Sequence, residues 1–348
     1  MSRSFSIRIV WGTALAWSLL SLLFTAPGAS ALQDQSDSTI SVSVNLVKVP
    51  ISVFDHRGNL VKNLRREDFR IWEDQVQQEI RSFGIDRNPV SVVLVLDTSM
   101  SGKSELKKIK EAAEAFTKAL SSGDQMSLVA FDEDVQRAVD WTEDRKKIRK
   151  ALDKLRPGWR TALYDAVYFA AKDQLKDIDG RKAIILLTDS LDNYSRSSFR
   201  DASLAVTESQ ASLYVVSKTA IVREEARNER RVKILDNIYK QLFGDDANYI
   251  DEFFEKRETE MKDLAEQTGG RCFFPLDYDG IKGVYSEVAR ELKSKYYLTY
   301  ISNQEMDKNS YHRISIEYLR PASKILYRKG YYYEPQSASN RSLYLRRD

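Results

Sequence analysis

Apolar residues recur at every second position from Val42: Val42, Val44 and Leu46, then, after a shift of face, Val47, Val49, Ile51 and Val53. Period-two alternation of this kind predicts a half-buried strand. The polar run "DHRGN" at 55–59 reads as a turn, and "EDFRIWEDQVQQEIRSFGI" reads as further strands around a second turn at Asp74-Gln75. Residues 40–87 therefore form a small β module. At "DRNPV" the pattern changes. "VSVVLVLD" (90–97) and "KAIILLTD" (182–189) are continuous apolar runs, as expected of strands buried on both faces of a parallel sheet.

Helical patterns separate these runs. "KSELKKIKEAAEAFTKALSS" places Ile109, Ala112, Ala113, Phe116, Ala119 and Leu120 on one stripe. "QMSLVAF" is a strand; "TEDRKKIRKALDKL", opened by a capping-type Thr142, and "TALYDAVYFAAKDQL" are helices. "SSFRDASLAVTESQ" is a helix, "SLYVVS" a strand, "ETEMKDLAEQTGG" a helix closed by glycine, "RCFF" a short strand and "GIKGVYSEVARELKSKY" a last helix. Strands alternating with helices over 88–295 imply an α/β fold with a doubly wound, mostly parallel sheet. A charged, helix-prone insertion at 221–254 interrupts the alternation just past the carboxyl end of "SLYVVS". It is either a solvated helical hairpin or the rim of a site, since ligands of open α/β sheets bind at that edge. From 296 to 335 the pattern returns to strands ("YYLTYIS", "HRISIEYL", "KILYRKGYYY"), and the polar tail at 336–348 reads as disordered. The two β segments both adjoin the central domain, which would let them pack together.

The N-terminus follows a different logic. Arg3 and Arg8 precede "IVWGTALAWSLLSLLF", followed by "TAPGASA". A basic start, a short apolar run and small residues at Ala29-Ser30-Ala31 make residues 1–31 a secretory signal peptide, with cleavage after Ala31 and a secreted or periplasmic destination. The run is short for a membrane span of about 20 residues, so membrane attachment after cleavage is not expected. Cleavage removes two of the 54 basic side chains and none of the 51 acidic ones. The near-neutral remainder gives no basis for nucleic-acid binding. The run "RKKIRK" at 145–150 is a solvated helix face. The composition, 42% hydrophobic and 30% charged over 348 residues, is that of a globular protein. The single cysteine, Cys272, excludes an internal disulfide and reads as a buried strand thiol. The two histidines, His56 and His312, form no nucleophilic or zinc-type pattern.

The loop after the first buried strand holds the candidate chemistry. Asp97-Thr98-Ser99-Met100-Ser101 spells D-x-S-x-S, while Gly102-Lys103-Ser104 spells the end of a phosphate-binding loop. The nucleotide alternative is disfavoured: Asp97 stands where that loop needs its first glycine, and would place a carboxylate beside phosphates. A third alternative is that Asp97 and Thr98 merely cap the following helix. A carboxylate and two hydroxyls at alternate positions are hard oxygen donors suited to Mg²⁺, or to Mn²⁺ or Ca²⁺. One loop cannot supply a full shell. Thr161 in "GWRTALYDA" and Asp189 at the end of "IILLTD" are expected at the same sheet edge. Asp132, Asp165 and Asp192 are further acids near that rim, Asp165 as a support for the Thr161 loop.

Asp97, Ser99, Ser101, Thr161 and Asp189 in these settings resemble the metal-ion-dependent adhesion site of von Willebrand factor type A domains. "VFDHRGNLVKNLRREDFRIWED", "AEQTGGRCF", "ELKSKYYLTY" and "YRKGYYY" are similar to secreted bacterial proteins, best known from acidobacteria, with a domain related to that type. The resemblance covers about 40–335. It departs at Met100-Ser101-Gly102, where Gly-Ser-Met is usual, and at Ser190, where glycine is usual. The resemblance implies a metal held directly by the two serines and the threonine, with the aspartates acting mainly through waters. Neutral direct donors leave the ion electropositive, so the open position favours the Asp or Glu carboxylate of a protein partner. It thus implies metal-dependent protein binding in adhesion or assembly at the cell envelope, not catalysis. The alternatives are a scaffold whose site is filled by its own chain, for instance by Asp245 or Asp246, and, behind both, a metal-dependent hydrolase.

Overall fold

The computed structural model describes residues 45–99, 103–228, 230–244, 248–304, 307, 310–322 and 324–333. The signal-peptide and tail segments, Ser101, Asp245 and Asp246 lie outside the described residues. A six-stranded sheet forms the centre. Its strands are β5 (Val90–Asp97), β6 (Gln125–Phe131), β7 (Val135–Thr142), β8 (Arg181–Thr188), β9 (Ser212–Ser217) and β10 (Arg271–Phe273), in the order β10-β9-β8-β5-β6-β7. All neighbours are parallel except β7 against β6. Every residue of β5 is buried, which explains why its sequence shows no alternation.

Alternation is present, but between two cores. Val92, Leu94 and Leu96 pack on the face covered by α1 (Lys103–Ala119), α2 (Arg145–Lys154) and α8 (Tyr278–Ser294). Val93 and Val95 pack on the face covered by α3 (Leu163–Phe169), α4 (Phe199–Ser209) and α7 (Tyr249–Gln267). The chain leaves β5 toward one face and β8 toward the other. The change of face therefore falls at the carboxyl ends of these adjacent strands, the usual ligand position in doubly wound sheets.

Several local details differ from the sequence pattern. The antiparallel edge strand β7, "VQRAVDWT", escapes pattern reading because it is half-exposed and polar along most of its length. Thr142 ends β7 and does not cap α2; the cap is Asp144, whose side chain accepts from Lys146 N–H, and Thr142 Oγ1 accepts from Asp144 N–H. Strand β8 ends at Thr188, leaving Asp189 one residue beyond it. The helix from Leu163 gives way after Phe169 to a wider turn at Ala170–Gln174. The insertion is helical: α5 (Thr219–Asn228), α6 (Arg230–Phe243) and the first turns of α7. Arg223 pairs with Glu258 and Arg227 with Asp251, tying α5 to α7.

The remaining strands make two antiparallel four-stranded sheets. Strand β1 (Leu46–Phe54) lies between β11 (Tyr296–Ile301) and β13 (Lys324–Tyr327), with β4 (Ser82–Ile85) beyond β11. Strand β12 (Tyr311–Tyr318) lies between β2 (Phe69–Glu73) and β14 (Gly330–Tyr332), with β3 (Val76–Gln78) beyond β2. Asp74 and Gln75 form the two-residue β2–β3 turn, both at positive φ (46° and 71°). The two sheets share one core, including Val49, Ile51, Leu298 and Tyr300 from one and Ile71, Ile314 and Ile316 from the other. Among the described residues, no helix is long and apolar enough to cross a membrane.

Candidate metal-binding site

The carboxyl ends of β5 and β8 bring the candidate donors together from three loops. Asp97 closes β5 with its side chain fully buried. Its Oδ1 accepts from Ser99 N–H (2.9 Å) and Ser99 Oγ (2.5 Å), folding the loop back over the strand end. Its Oδ2 accepts from Thr188 Oγ1 (3.0 Å) on the neighbouring strand. Thr161 Oγ1 donates to Ser99 Oγ (2.8 Å) across a separation of 62 residues. Asp97, Ser99 and Thr161 thus form a continuous run of oxygens at one point of the sheet edge.

The Thr161 loop approaches that point past Gly158 and a pinned β5 loop. Thr98 N–H and Oγ1 both donate to Phe131 O, pinning the β5 loop to the end of β6. Gly158 N–H donates to Thr98 O, and Gly158 bridges to Ser99 in parallel. A Cβ at Gly158 would lie 2.3 Å from the Asp132 side chain, so only glycine allows this approach. Beyond it, Glu133 Oε2 accepts from Trp159 and Arg160 N–H. Ala162 N–H donates to Asp132 O, and Thr161 N–H donates to Asn193 Oδ1. Asp192 Oδ1 accepts from Leu163 N–H at the start of α3. Asp165 accepts from Arg196 and Ser197 N–H (2.9 and 2.8 Å), joining α3 to the loop before α4. Burial raises its proton affinity, but hydrogen bonds from Ser197 and Arg196 outweigh this and hold its carboxyl below the usual range.

Asp189 lies beside Asp97. Burial pushes its carboxyl up to about 6, the Asp97 charge adds to the rise, and Lys218 opposes it. Its Oδ1 accepts from Leu191 N–H (3.0 Å). Ser190 sits at φ +62°, the left-handed region in which a glycine is unstrained. Its hydroxyl lies 3.3 Å from Ser217 Oγ, and its N–H donates to Thr188 Oγ1.

The donor chemistry fits a hard divalent cation. Two carboxylates at one sheet edge repel one another, and the uncharged hydroxyl oxygens of Ser99 and Thr161 adjoin Asp97; a cation would relieve the first and coordinate the second. Among the described residues no group of three or more His, Cys, Asp or Glu side chains is placed to hold a metal. Cys272 takes no part: it lies half-buried in β10, and burial pushes its thiol up to about 12. His312 is equally remote from this chemistry, in contact with Asp74 and Ser310.

Thr188, Asn193 and Lys218 were not singled out by sequence. Thr188 and Lys218 sit within or just past apolar strand runs, and Asn193 lies in a loop whose conformation only the fold determines. The one available signal was position, since each lies within a few residues of a strand's carboxyl end.

Comparison with known proteins finds one family match and several distant structures. The family model described as von Willebrand factor type A domain matches residues 92–191. No curated protein matches the chain. Among solved structures, the vWF domain of the type V pili tip protein Mfa5 from Porphyromonas gingivalis is 28% identical over 30% of this chain and 39% of that one, with a TM-score of 0.29. The chain therefore spans well under half of that protein's length. A von Willebrand factor type A protein from Catenulispora acidiphila is 11% identical, with 83% and 72% of the two chains covered and a TM-score of 0.43. Proximal thread matrix protein 1 from the mussel byssus, with a zinc-occupied MIDAS motif, is 13% identical, with 61% and 49% covered and a TM-score of 0.43. The matched segment runs from β5 through the Asp189 loop, and the mostly parallel sheet with helices on both faces surrounds it: this chain carries a domain related to the von Willebrand factor type A family.

Proposed function

We propose that this protein is a metal-dependent protein-binding module of the cell envelope, acting in adhesion or assembly. Asp97, Ser99, Ser101, Thr161 and Asp189 would hold a divalent cation, Mg²⁺ or alternatively Mn²⁺ or Ca²⁺. When bound, the ion supplies an electropositive position for a partner's Asp or Glu carboxylate. The observation that carries this is the unbroken run Asp97–Ser99–Thr161, built from two loops, with Asp189 beside it at the next strand end.

The surroundings support a protein partner. Trp159, two residues before Thr161, is 81% exposed, and Arg160 stacks on the half-exposed Tyr194 ring (4.7 Å). Trp, Tyr and Arg are the side chains that most often dominate protein interfaces.

Isothermal titration with Mg²⁺ and Mn²⁺ tests the metal. Wild type should bind, and Asp97→Ala and Ser99→Ala should lose binding by at least about tenfold, each removed donor being worth more than ~1.4 kcal/mol. Equal binding by wild type and both variants would refute the site. Capture of partners from an envelope extract should fail in EDTA; the same partners recovered with and without EDTA would refute metal-bridged binding.

A further inference from the structure

The loop that carries Thr161 is held at every backbone N–H from Gly158 to Ala162. Gly158 donates to Thr98 O (3.0 Å), Trp159 and Arg160 to Glu133 Oε2 (3.1 and 3.2 Å), Thr161 to Asn193 Oδ1 (2.9 Å) and Ala162 to Asp132 O (2.7 Å). None of these acceptors belongs to the loop itself. Thr161 O in turn accepts from Asn193 and Tyr194 N–H (both 3.1 Å). The ends of β5 and β6 and the loop before α4 therefore fix this stretch in one conformation. Yet it leaves its largest apolar side chain bare, since Trp159 is 81% exposed. An indole held in water by a fixed backbone offers contact area at little further ordering cost, as interface anchors do. Trp159 and Thr161 are two residues apart, at most about 7 Å along the backbone, so a surface laid on the indole also reaches the Thr161 position. Between them Arg160 lies over the Tyr194 ring (4.7 Å), and its charge favours an acidic contact over a basic one.

Resting on the metal reading above, we propose that Trp159 is a second, preformed anchor of the same binding face, and that the partner presents an acidic–apolar segment. That segment carries an Asp or Glu side chain for the ion and, within about three residues of it, an aromatic or large aliphatic side chain that covers the indole. The ion demands a carboxylate, which most protein surfaces offer. Trp159 chooses among carboxylates by what stands next to them. Acidic segments without the apolar neighbour leave the indole in water and bind weakly.

Selection of random peptides displayed on phage, against the full chain in Mg²⁺, tests this. Wild type should enrich peptides that carry Asp or Glu with Trp, Phe, Tyr, Leu or Met close by. The most enriched peptide, synthesised and titrated, should bind Trp159→Ala at least about tenfold more weakly than wild type, the loss expected of an interface hot spot. Trp159→Phe, which keeps an aromatic face, should lose less, and matching circular dichroism spectra establish that both variants fold. Enriched peptides with an acid but no apolar preference, equal affinity for wild type and Trp159→Ala, or no enrichment at all would overturn this proposal while leaving the metal site standing. Peptide binding unchanged in EDTA would overturn the metal reading and the paired recognition with it.

Discussion

At the scale of single residues, two positions test how the loops are held. Gly158 lies where any side chain would overlap Asp132, whose backbone carbonyl also receives Ala162 N–H. Gly158→Ala should push the Thr161 loop off the Ser99 hydroxyl. We expect about 1–3 kcal/mol of destabilisation, the usual cost of overpacking, in urea unfolding, together with weaker Mg²⁺ binding in titration. Wild-type behaviour in both would mean that Asp132 yields freely. Ser190 presents the opposite case. At φ +62° a serine is strained by about 1 kcal/mol relative to glycine. Ser190→Gly forfeits only the long contact to Ser217, so its unfolding midpoint should equal or exceed that of wild type. A clear loss of stability would show that the Ser190 hydroxyl matters more than the backbone strain. These residues also show how far the candidate site was legible. Asp97, Ser99, Thr161 and Asp189 stood out because each lies at a strand end or a helix start. Gly158 was visible only as a glycine in a loop; the approach that requires it spans 59 positions, from Ser99 to Gly158.

At the scale of elements, the packing of β9, α8 and β1 rests on a buried polar knot. Lys295 Nζ donates to Ser212 Oγ, Tyr214 OH and Gly269 O. Glu291 Oε1 accepts from Tyr214 OH and from Ser52 Oγ of β1. Burial pulls the Lys295 ammonium down to about 8, against the partial support of Glu291. The unfolded chain holds that proton to about 10.4. Between those values the unfolded state binds more protons, so this group raises the unfolding free energy as pH rises from about 8; below 8 both states are protonated and the gain is absent. Measured against Lys295→Met, wild type should gain on the order of 1–2 kcal/mol between pH 7.5 and 9.5 in urea midpoints. Parallel midpoints across that range would refute it. The buried tyrosines act oppositely but higher up. Burial raises Tyr214 and Tyr285, so the unfolded chain ionises first and their contribution is lost above pH ~10. The strands and helices themselves were largely readable, because continuous apolar runs and helical stripes are local signals. Edge strand β7 was not, since its outer side faces solvent and its sequence carries no period.

At the scale of the whole molecule, one carboxylate joins distant parts of the β sheets. Glu73 ends β2, fully buried, and accepts from Tyr300 OH (3.1 Å), Ser302 Oγ (2.5 Å) and Tyr331 OH (2.6 Å). Those donors come from more than 220 residues along the chain. Glu73→Ala would orphan three buried hydroxyls, and each unsatisfied group costs about 1–3 kcal/mol, so the variant should lose several kcal/mol or fail to fold. Glu73→Gln, which keeps one carbonyl acceptor, should fall between the two in chemical denaturation. Equal stability of Ala and Gln variants would mean that solvent reaches the cluster. Since β1 and β2 pair with β11, β12 and β13, such a loss should appear as unfolding of both sheets together, seen as one transition by far-UV circular dichroism and tyrosine fluorescence.

The sequence by itself determined the α/β alternation, the strand ends that carry Asp97 and Asp189, the Thr161 loop, and the β character of the flanking segments. Each of these is written in residues close together along the chain, where periodicity and turn chemistry act. Only the tertiary structure decided which segments became neighbours: that β1 lies between β11 and β13, that Thr161 meets Ser99, and that Lys218 N–H reaches Thr188 O. Those pairings depend on which buried faces match and which charges must be offset inside the fold. Local sequence holds no record of either, because burial and electrostatic environment exist only once the chain has folded.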